Sequence, residues 1–324
     1  MRKLMKGILA AGLTAGLALV SAAAQAQDYP TQPVRIVIGF AAGGGTDTIA
    51  RMLADKMGGV LGQQVVVDNR PGAGGVVAAA YAANEKPDGY TLYFSGTSTL
   101  IAPVFVENAG YDPVKSFEAI ANINQTPLAL VAGADFEANT IPELIELAKS
   151  KPGEFFYATP GVGTTQHLLV EMMETAAGIE LEDAPFQGAA PSIAAVLSGE
   201  IPLAIISLSA AVEQARGGKM KILGVTSPER VPDYPDIPTI GETIEGYGAL
   251  PGNFLVAPAG TPAEIIKILS DAVGKVVADE EMVDFFKKQG LLAHYVPAEQ
   301  LAVQIPEETA KWTEAAQALP KKAN

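Results

Sequence analysis

The sequence contains no cysteine and only two histidines, His167 and His294. Without cysteine the chain has no disulfides, no thiol nucleophile and no thiolate metal ligands, and two histidines are too few for a histidine-based metal cluster. We therefore expect neither a metal nor a cofactor. A chain of this length is long enough to be stabilised by its apolar core alone.

Basic charge is also scarce. The 324 residues include 22 Lys and Arg against 36 Asp and Glu, which gives a net charge of −14. Nucleic acids and anionic membrane surfaces attract proteins through basic patches, so we expect neither as a partner.

The one long apolar run lies at the N-terminus. Basic residues at 2, 3 and 6 precede an apolar stretch from Gly7 to about Ala24, and Ala24-Gln25-Ala26 has the form that signal peptidase cleaves. The run is short and broken by glycines, which favours a removable signal over a membrane anchor. Residues 1–26 are thus predicted to be a signal peptide cleaved after about Ala26. Its loss moves the net charge to about −17.

The rest of the chain alternates short β-branched runs with helical stretches. Strand-like runs occur at 34–38, 65–67, 91–94, 155–158, 184–186, 203–206 and 222–225. Helices are expected between them, and also at 262–277 and 298–318, whereas 228–252 is rich in proline and glycine and reads as loops. This alternation predicts an α/β fold with parallel sheets, and two groups of strands in about 300 residues indicate two lobes.

One local device recurs along this pattern: a strand, a turn rich in glycine, serine or threonine, and then a helix start. It occurs at 41–47, 69–75, 95–98, 159–164 and 187–190. A helix N-terminus binds anions through unpaired N–H groups, and ligands of open α/β sheets bind beyond the carboxyl ends of the strands. Each turn taken alone is better explained as a tight connection between a strand and a helix. Several of them facing one cleft would hold a carboxylate.

Catalytic and nucleotide-binding motifs are poorly supported. The run Gly43-Gly44-Gly45-Thr46-Asp47 lacks both the Gly-Lys-Ser/Thr ending of a P-loop and the G-x-G-x-x-G pattern, and no G-x-S-x-G nucleophile elbow occurs. Asp47 suits a helix cap better than a general base. His167 fits either a ligand contact or a packed histidine, and Trp312 is expected to be a packing residue.

Several longer stretches carry a family resemblance. They are Tyr29-Pro30, 33–37, 40–47, 69–75, 87–92, 161–168, 185–188, 223–227, 236–240 and Ala257-Pro258-Ala259-Gly260-Thr261-Pro262. With these stretches the chain resembles the periplasmic solute receptors of tripartite tricarboxylate transporters, also called Bug or TctC proteins. The match runs in order over essentially the whole chain after residue 26.

The resemblance implies a type II periplasmic binding fold: two lobes, with mainly parallel central sheets, around a hinged ligand cleft. Lobe 1 would comprise 27–128 and 252–324, and lobe 2 would comprise 129–251. It also implies a periplasmic, monomeric binding protein rather than an enzyme.

The resemblance further implies which residues bind the ligand. On one lobe they are Ala42, Gly44, Thr46 and Asp47, and on the other Gly161, Gly163, Thr164 and His167. Ser95, Thr97 and Ser98 would line the cleft, with Phe186, Gln187 and Gly188 on its far side. The sequence departs from the family at Gly39, at 201–207 and at 252–254. These departures leave the fold intact and leave the distal pocket, which selects the ligand, open.

The function implied is capture of a small carboxylate, a di- or tricarboxylate or a related organic acid, and its delivery to the membrane subunits of a tripartite tricarboxylate transporter. One alternative is a ligand-sensing adaptor that docks on a membrane sensor. A less favoured alternative is an exported hydrolase or lyase that uses Asp47 and His167.

Overall fold

The computed structural model describes residues 29–186 and 188–317. The predicted signal peptide therefore lies outside the described residues. The strands are β1 Val34–Ile38, β2 Val65–Asn69, β3 Thr91–Gly96, β4 Phe117–Gln125, β5 Leu128–Gly133, β6 Phe156–Thr159, β7 Glu182–Pro185, β8 Leu203–Ser207, β9 Met220–Val225, β10 Gly252–Pro258 and β11 Leu292–Pro297.

The helices follow the strands in most places. They are α1 Gly45–Leu61, α2 Val76–Ala83, α3 Thr97–Phe105, α4 Ile141–Ser150, α5 Thr165–Ala177, α6 Ala189–Leu197, α7 Leu208–Arg216, α8 Ala263–Val277, α9 Glu280–Gln289 and α10 Ala298–Gln317. Short 3₁₀ turns lie at Ala73–Gly75 and Ile240–Glu242. In the described part of the chain, no helix combines the length and apolarity needed to cross a membrane.

The strands form two sheets, one in each lobe. The first has the order β11-β4-β10-β3-β1-β2 and the second the order β7-β6-β8-β5-β9. The chain leaves the first sheet after β4, builds the whole second sheet, and returns at β10. The two crossings are joined, because the N–H of Thr126 donates to the carbonyl of Pro251 at 2.7 Å. This arrangement confirms an α/β fold with two lobes; the residue boundaries given above stay a prediction.

Both sheets are mixed, where mainly parallel sheets were expected. β1 pairs in parallel with β2 and β3, but β10 runs antiparallel to β3 and β4. In the second sheet β5 runs antiparallel to β8 and β9. β5 and β10 are the first strands after the two crossings. A chain that crosses between lobes enters the new sheet from the hinge side, so its first strand runs opposite to the βαβ units of that sheet. β11 also runs antiparallel to β4, although it does not follow a crossing.

Each sheet is covered on both faces. In β1, Ile36 and Ile38 pack in one apolar cluster with Leu53 of α1, while Val37 packs in another with Tyr93 and Val256. β5 alternates in the same way, with Leu130 and Val131 in different clusters. Full burial of such side chains contributes about 1.5–3 kcal/mol each, so each lobe has a substantial apolar core.

Two helices bridge the lobes. Leu100 of α3 and Leu301 and Ile305 of α10 are buried in a lobe 1 cluster. Ile101 and Trp312, from the same two helices, are buried in the main cluster of lobe 2. The Trp312 indole N–H donates to Glu308 Oε2 at 3.0 Å. The expected packing role of Trp312 is therefore confirmed, and it lies across the lobe boundary.

Candidate functional site

A cavity of about 810 Å³ lies between the lobes. Its walls are the segments that follow β1, β3, β6 and β7, together with the two crossings. The residues that line it are Phe40–Thr46, Gly74, Tyr93–Thr99, Thr126, Leu128, Pro160, Thr164–Gln166, Gly188–Pro191, Ile193 and 251–253. The cavity is therefore located beyond the carboxyl ends of the strands, where the sequence pattern predicted binding.

The loop before α1 is held in place from beneath by Asp47. Asp47 Oδ2 accepts from the N–H of Gly43 at 2.9 Å and from Arg51 Nε at 2.9 Å, and Oδ1 accepts from Asn69 Nδ2 at 2.8 Å. Hydrogen bonding from Arg51, and then from Gly43 and Asn69, lowers the pKa of Asp47 to about 2. The side chain is buried and charged, and it fixes the loop.

The same loop leaves its backbone donors open toward the cavity. Gly43 has a φ of +83°, a conformation that glycine adopts without strain. Gly44 is the N-cap of α1 and offers no side chain to the first turn. The first N–H groups of α1 therefore point to the cavity without a side-chain cap, as an anion site requires.

The loop before α5 is built from hydroxyl groups instead. Thr164 Oγ1 donates to the carbonyl of Gly161 at 2.7 Å, and the Thr159 hydroxyl donates to the same carbonyl at 3.0 Å. Thr164 also caps α5, since its Oγ1 accepts from the N–H of His167 at 3.4 Å. This loop reaches the cavity through Pro160 and Thr164.

Helix α3 begins between these two loops. Gly96 is its N-cap and provides no side-chain cap, and Ser95, Thr97 and Ser98 line the cavity. Ser98 Oγ lies 3.0 Å from Thr165 Oγ1, which belongs to lobe 2. The two hydroxyls therefore join the lobes across the cavity.

The fourth helix start belongs to α6. Its N-cap, Gly188, has a φ of +117° and no side chain to cap the helix. Ala189, Ala190, Pro191 and Ile193 add apolar surface to this side of the cavity. This wall can pack against the body of a ligand rather than against a charged group.

The electrostatics of the cavity follow from its backbone. Among the described residues, the lining includes hydroxyl, amide and apolar side chains and no charged one. Burial raises the pKa of Tyr93 to about 12, so its hydroxyl stays neutral. Four helix N-termini supply partial positive charge to this uncharged space. The site therefore suits an anion, and a carboxylate matches N–H and hydroxyl donors in geometry.

The structure brings together part of the predicted set. Ala42, Gly44, Thr46, Ser95, Thr97, Ser98, Thr164 and Gly188 line the cavity. Asp47, Gly161 and His167 lie behind the lining, each hydrogen-bonded to a residue that forms it. Gly163 and Phe186 are not among the lining residues. Gln187 is outside the described residues. Ligand binding by each of these residues stays a prediction.

His167 is a predicted site residue that lies behind the cavity lining. It is buried in the first turn of α5, with its ring against Phe105 of α3 and Tyr157 of β6, and its Nε2 lies 3.8 Å from Glu171 Oε1. It therefore packs where α3 of lobe 1 meets lobe 2. Its backbone N–H is the group that Thr164 caps.

None of the residues at the crossings was among the predicted site residues, although 252–254 was noted as a departure from the family. Thr126, Leu128, Pro251, Gly252 and Asn253 all line the cavity. The prolines at 127 and 251 mark both crossings and were the available signal. Which side chain faces the cavity depends on the pairing of β10 with β3, and that pairing joins residues far apart in sequence.

Metal binding has no support in the described part of the chain, where no cluster of histidine and acidic residues has the arrangement of a metal site.

Comparisons with known proteins agree with this geometry. Residues 49–320 match the model of the tripartite tricarboxylate transporter family receptor. A UPF0065 protein of Bordetella bronchiseptica is 36% identical over 275 residues, which cover 85% of this chain and 82% of that protein.

Solved structures are similar over nearly their whole length. The periplasmic binding protein BugD is 33% identical with a TM-score of 0.80, covering 89% of this chain and 98% of BugD. An R. palustris protein with adipate is 30% identical with a TM-score of 0.83, at 90% and 98% coverage. MatC from Rhodopseudomonas palustris, with bound malate, is 29% identical with a TM-score of 0.79, at 89% and 99% coverage.

These relatives are solute-binding proteins, not enzymes, and the hydrolase or lyase alternative is set aside on that ground. The fold, the uncharged cavity between two lobes and the family match lead to one conclusion: the chain belongs to the tripartite tricarboxylate transporter receptor family, the Bug or TctC solute-binding proteins.

Proposed function

We propose that this receptor captures a small carboxylate in the periplasm and delivers it to the membrane subunits of a tripartite tricarboxylate transporter. The observation that carries the proposal is the uncharged cavity onto which four helix N-termini open. Two similar proteins are described with adipate and with malate, both carboxylates. The family match supports the kind of transporter.

In this proposal the carboxylate first binds lobe 1. Ala42, Gly44 and Thr46 provide donors in a loop that Asp47 already holds in place. Thr164, supported by Gly161, Gly163 and His167, completes the site when lobe 2 closes. Residues 27–128 and 252–324 move as lobe 1 and 129–251 as lobe 2, in one monomer that has lost its signal peptide after about Ala26.

Hydrogen bonds to the carboxylate can account for micromolar affinity. Micromolar affinity corresponds to about −8 kcal/mol, and each hydrogen bond to a charged group contributes about 1.5–3 kcal/mol. Several such bonds in a desolvated cavity are enough without a basic side chain. Closure follows ligand binding because the ligand makes more contacts with the closed form than with the open form.

A thermal-shift screen tests the proposal. The protein from Gln27 onward, unfolded and refolded to remove carried-over ligand, is screened against adipate, malate, citrate, glutamate and benzoate. A ligand at about 100 times its Kd adds about 2.7 kcal/mol, which raises Tm by a few degrees. No shift with any carboxylate, in protein shown to be folded, would contradict the proposal.

A matched pair of variants locates the site. Thr46 lines the cavity, whereas Thr175 is exposed near the end of α5, away from the lining. Thr46→Val is expected to weaken the binding of the best ligand about three- to tenfold, since one hydrogen bond is lost. Thr175→Val is expected to leave the affinity within twofold. Equal effects of the two substitutions would place the ligand elsewhere.

A further inference from the structure

At the two crossings, Asn253 of β10 is the described lining residue that brings a side-chain amide to the cavity. Asn253 pairs with Gly96, the N-cap of α3. A methyl group built on Gly96 would lie 3.2 Å from Asn253 Oδ1. Asn253 Oδ1 therefore lies beside the start of α3, at the cavity wall.

The nitrogen of this amide is hydrogen-bonded to a second asparagine. Asn253 Nδ2 lies 2.8 Å from Asn124 Oδ1 on the neighbouring strand β4. Asn124 is fully buried, and with the bond in this sense its own Nδ2 has no hydrogen-bond partner among the described residues. A buried amide with two unpaired N–H groups is costly, and buried side-chain donors are nearly always paired.

The pair can also be joined in the opposite sense. Amide oxygen and nitrogen have nearly the same size, and their assignment follows from the surrounding hydrogen bonds. If both amides turn over, Asn124 Nδ2 donates to Asn253 Oδ1 and the 2.8 Å bond is kept. The unpaired buried atom is then an acceptor, which proteins tolerate more readily than an unpaired donor. Asn253 Nδ2 then takes the position of Oδ1, beside Gly96.

Other donors surround that position. Thr97 Oγ1 accepts from the N–H of Gly252 at 3.3 Å, so its hydroxyl hydrogen remains available. The first turn of α3 has no side-chain cap. An amide N–H of Asn253 would join these groups in a set of donors, and a set of donors suits an anionic oxygen better than a hydroxyl or ammonium group.

The position is separate from the loop before α1. In the sheet, β3 lies between β10 and β1, so Asn253 is two strand spacings, about 10 Å, from the end of β1. An anionic group at Asn253 and a carboxylate at residues 42–46 therefore belong to the two ends of one ligand that is a few carbons long.

We infer that Asn253, held by Asn124, binds the second carboxylate of a dicarboxylate ligand. This inference rests on the proposed function, because it assumes that the first carboxylate binds at residues 42–46. Asn253 touches the ligand and determines its class. Asn124 does not touch the ligand and acts as a positioning residue, since it fixes the sense of the Asn253 amide.

The test compares acids of equal chain length. Adipate and hexanoate form one pair, and malate and 3-hydroxybutyrate form the other, with affinities measured by calorimetry at pH 7. We expect the unmodified receptor to prefer a dicarboxylate over its monocarboxylate partner by at least tenfold. Asn253→Ala should weaken dicarboxylate binding about tenfold and leave the monocarboxylate within twofold.

Asn253→Asp gives the sharpest discrimination. It keeps the shape of the side chain but replaces the donor with a negative charge, and should weaken dicarboxylate binding about a hundredfold. Asn124→Ala should weaken it about three- to fivefold, again without loss of monocarboxylate binding. Tm values of all variants identify any that fail to fold, and a failed variant is replaced by Asn253→Ser.

The outcomes separate the two proposals. If no carboxylate binds the unmodified protein, the proposed function itself fails. If carboxylates bind but Asn253→Asp leaves dicarboxylate affinity unchanged, or lowers the affinity for mono- and dicarboxylates equally, this inference alone is overturned. Tighter binding of a monocarboxylate than of either dicarboxylate overturns it as well.

Discussion

The two loops that face each other across the cavity are stabilised in different ways. In lobe 1 the buried carboxylate of Asp47 binds the loop from behind, and the helix start at Gly44 has no side-chain cap. In lobe 2 the hydroxyls of Thr159 and Thr164 hold the loop, and Thr164 caps its own helix. The loop of lobe 1 thus leaves more N–H groups for a ligand than the facing loop of lobe 2 does.

The two loops therefore have different roles in ligand binding. A preformed loop with uncapped donors binds a carboxylate without rearrangement, which lowers the entropic cost of binding. A loop whose first donor is already paired contributes mainly its hydroxyl groups and completes the site on closure. The predictions below test this asymmetry, from the largest expected effect to the smallest.

The largest effect is expected for Asp47→Ala. The substitution leaves the Gly43 N–H and the Asn69 amide without their buried acceptor, so the loop before α1 loses its fixed shape. Unfolding free energy should fall by about 2–3 kcal/mol and ligand affinity about a hundredfold. Denaturant unfolding and calorimetry measure the two quantities.

The control is Asp55→Ala, on an exposed position of the same helix. It removes the same charge from α1 and should change neither quantity by more than a small amount. Comparable losses in both variants would show that the net charge of α1 matters and the buried contact does not.

The next largest effect is the dependence of stability on the ionisation of Asp47. Its pKa of about 2 lies below its ordinary value of 3.8, so its contribution to stability is complete above about pH 4 and disappears as the pH falls toward 2. Since Arg51 is half exposed, we expect about 1–2 kcal/mol. The difference in unfolding free energy between the unmodified protein and Asp47→Asn should shrink over that interval. A difference that stays constant from pH 6 to pH 2 would contradict the role of the charge.

A smaller effect is expected for Thr164→Ala in lobe 2. Loss of an N-cap costs about 1 kcal/mol, and affinity should fall about three- to tenfold because the residue also lines the cavity. Thr140→Ala removes the N-cap of α4 in the same lobe, where the side chain accepts from Glu143, away from the cavity. Thr140→Ala should lower the unfolding free energy by a similar amount and leave the ligand affinity unchanged. An equal loss of affinity in both would mean that capping alone explains the effect.

The smallest effect concerns the hydroxyl pair between the lobes. Ser98 and Thr165 are 3.0 Å apart and join α3 to α5 of the other lobe. A double-mutant cycle with Ser98→Ala and Thr165→Val should give a coupling of about 0.5–1 kcal/mol in ligand affinity. Additive effects of the two substitutions would show that the pair does not contribute to closure.

The parts of this molecule that were predictable from sequence are local ones. β1 was predicted with its observed bounds, and the helix starts at Thr165 and Ala298 follow from signals within a few residues. The turns of both loops were also predicted, because glycines and hydroxyl residues specify them directly. The predicted cleft contacts Ala42, Gly44, Ser98 and Thr164 do line the cavity.

The parts that were not predictable depend on distant partners. β10 pairs with β3 and β4 through residues more than a hundred positions away, so neither its direction nor the placement of Asn253 is visible locally. The same holds for Trp312, which lies in the last helix and packs in the core of lobe 2. For Asp47 a helix-cap role was favoured from sequence, and this was wrong, because the N-cap of α1 is Gly44 and has no side-chain cap. Asp47 lies inside the first turn and binds the preceding loop and Asn69, a contact that required the sheet to place β2 beside β1.

Hydrogen–deuterium exchange tests the central claim most directly, because the claim concerns backbone N–H groups. On addition of a carboxylate identified by the thermal-shift screen, we predict slower exchange in peptides that cover residues 41–48 and 161–168, one from each lobe. Helix α9 lies away from the cavity and should not change. Protection of only one of the two segments, or of neither while the ligand is bound, would contradict capture between the two loops.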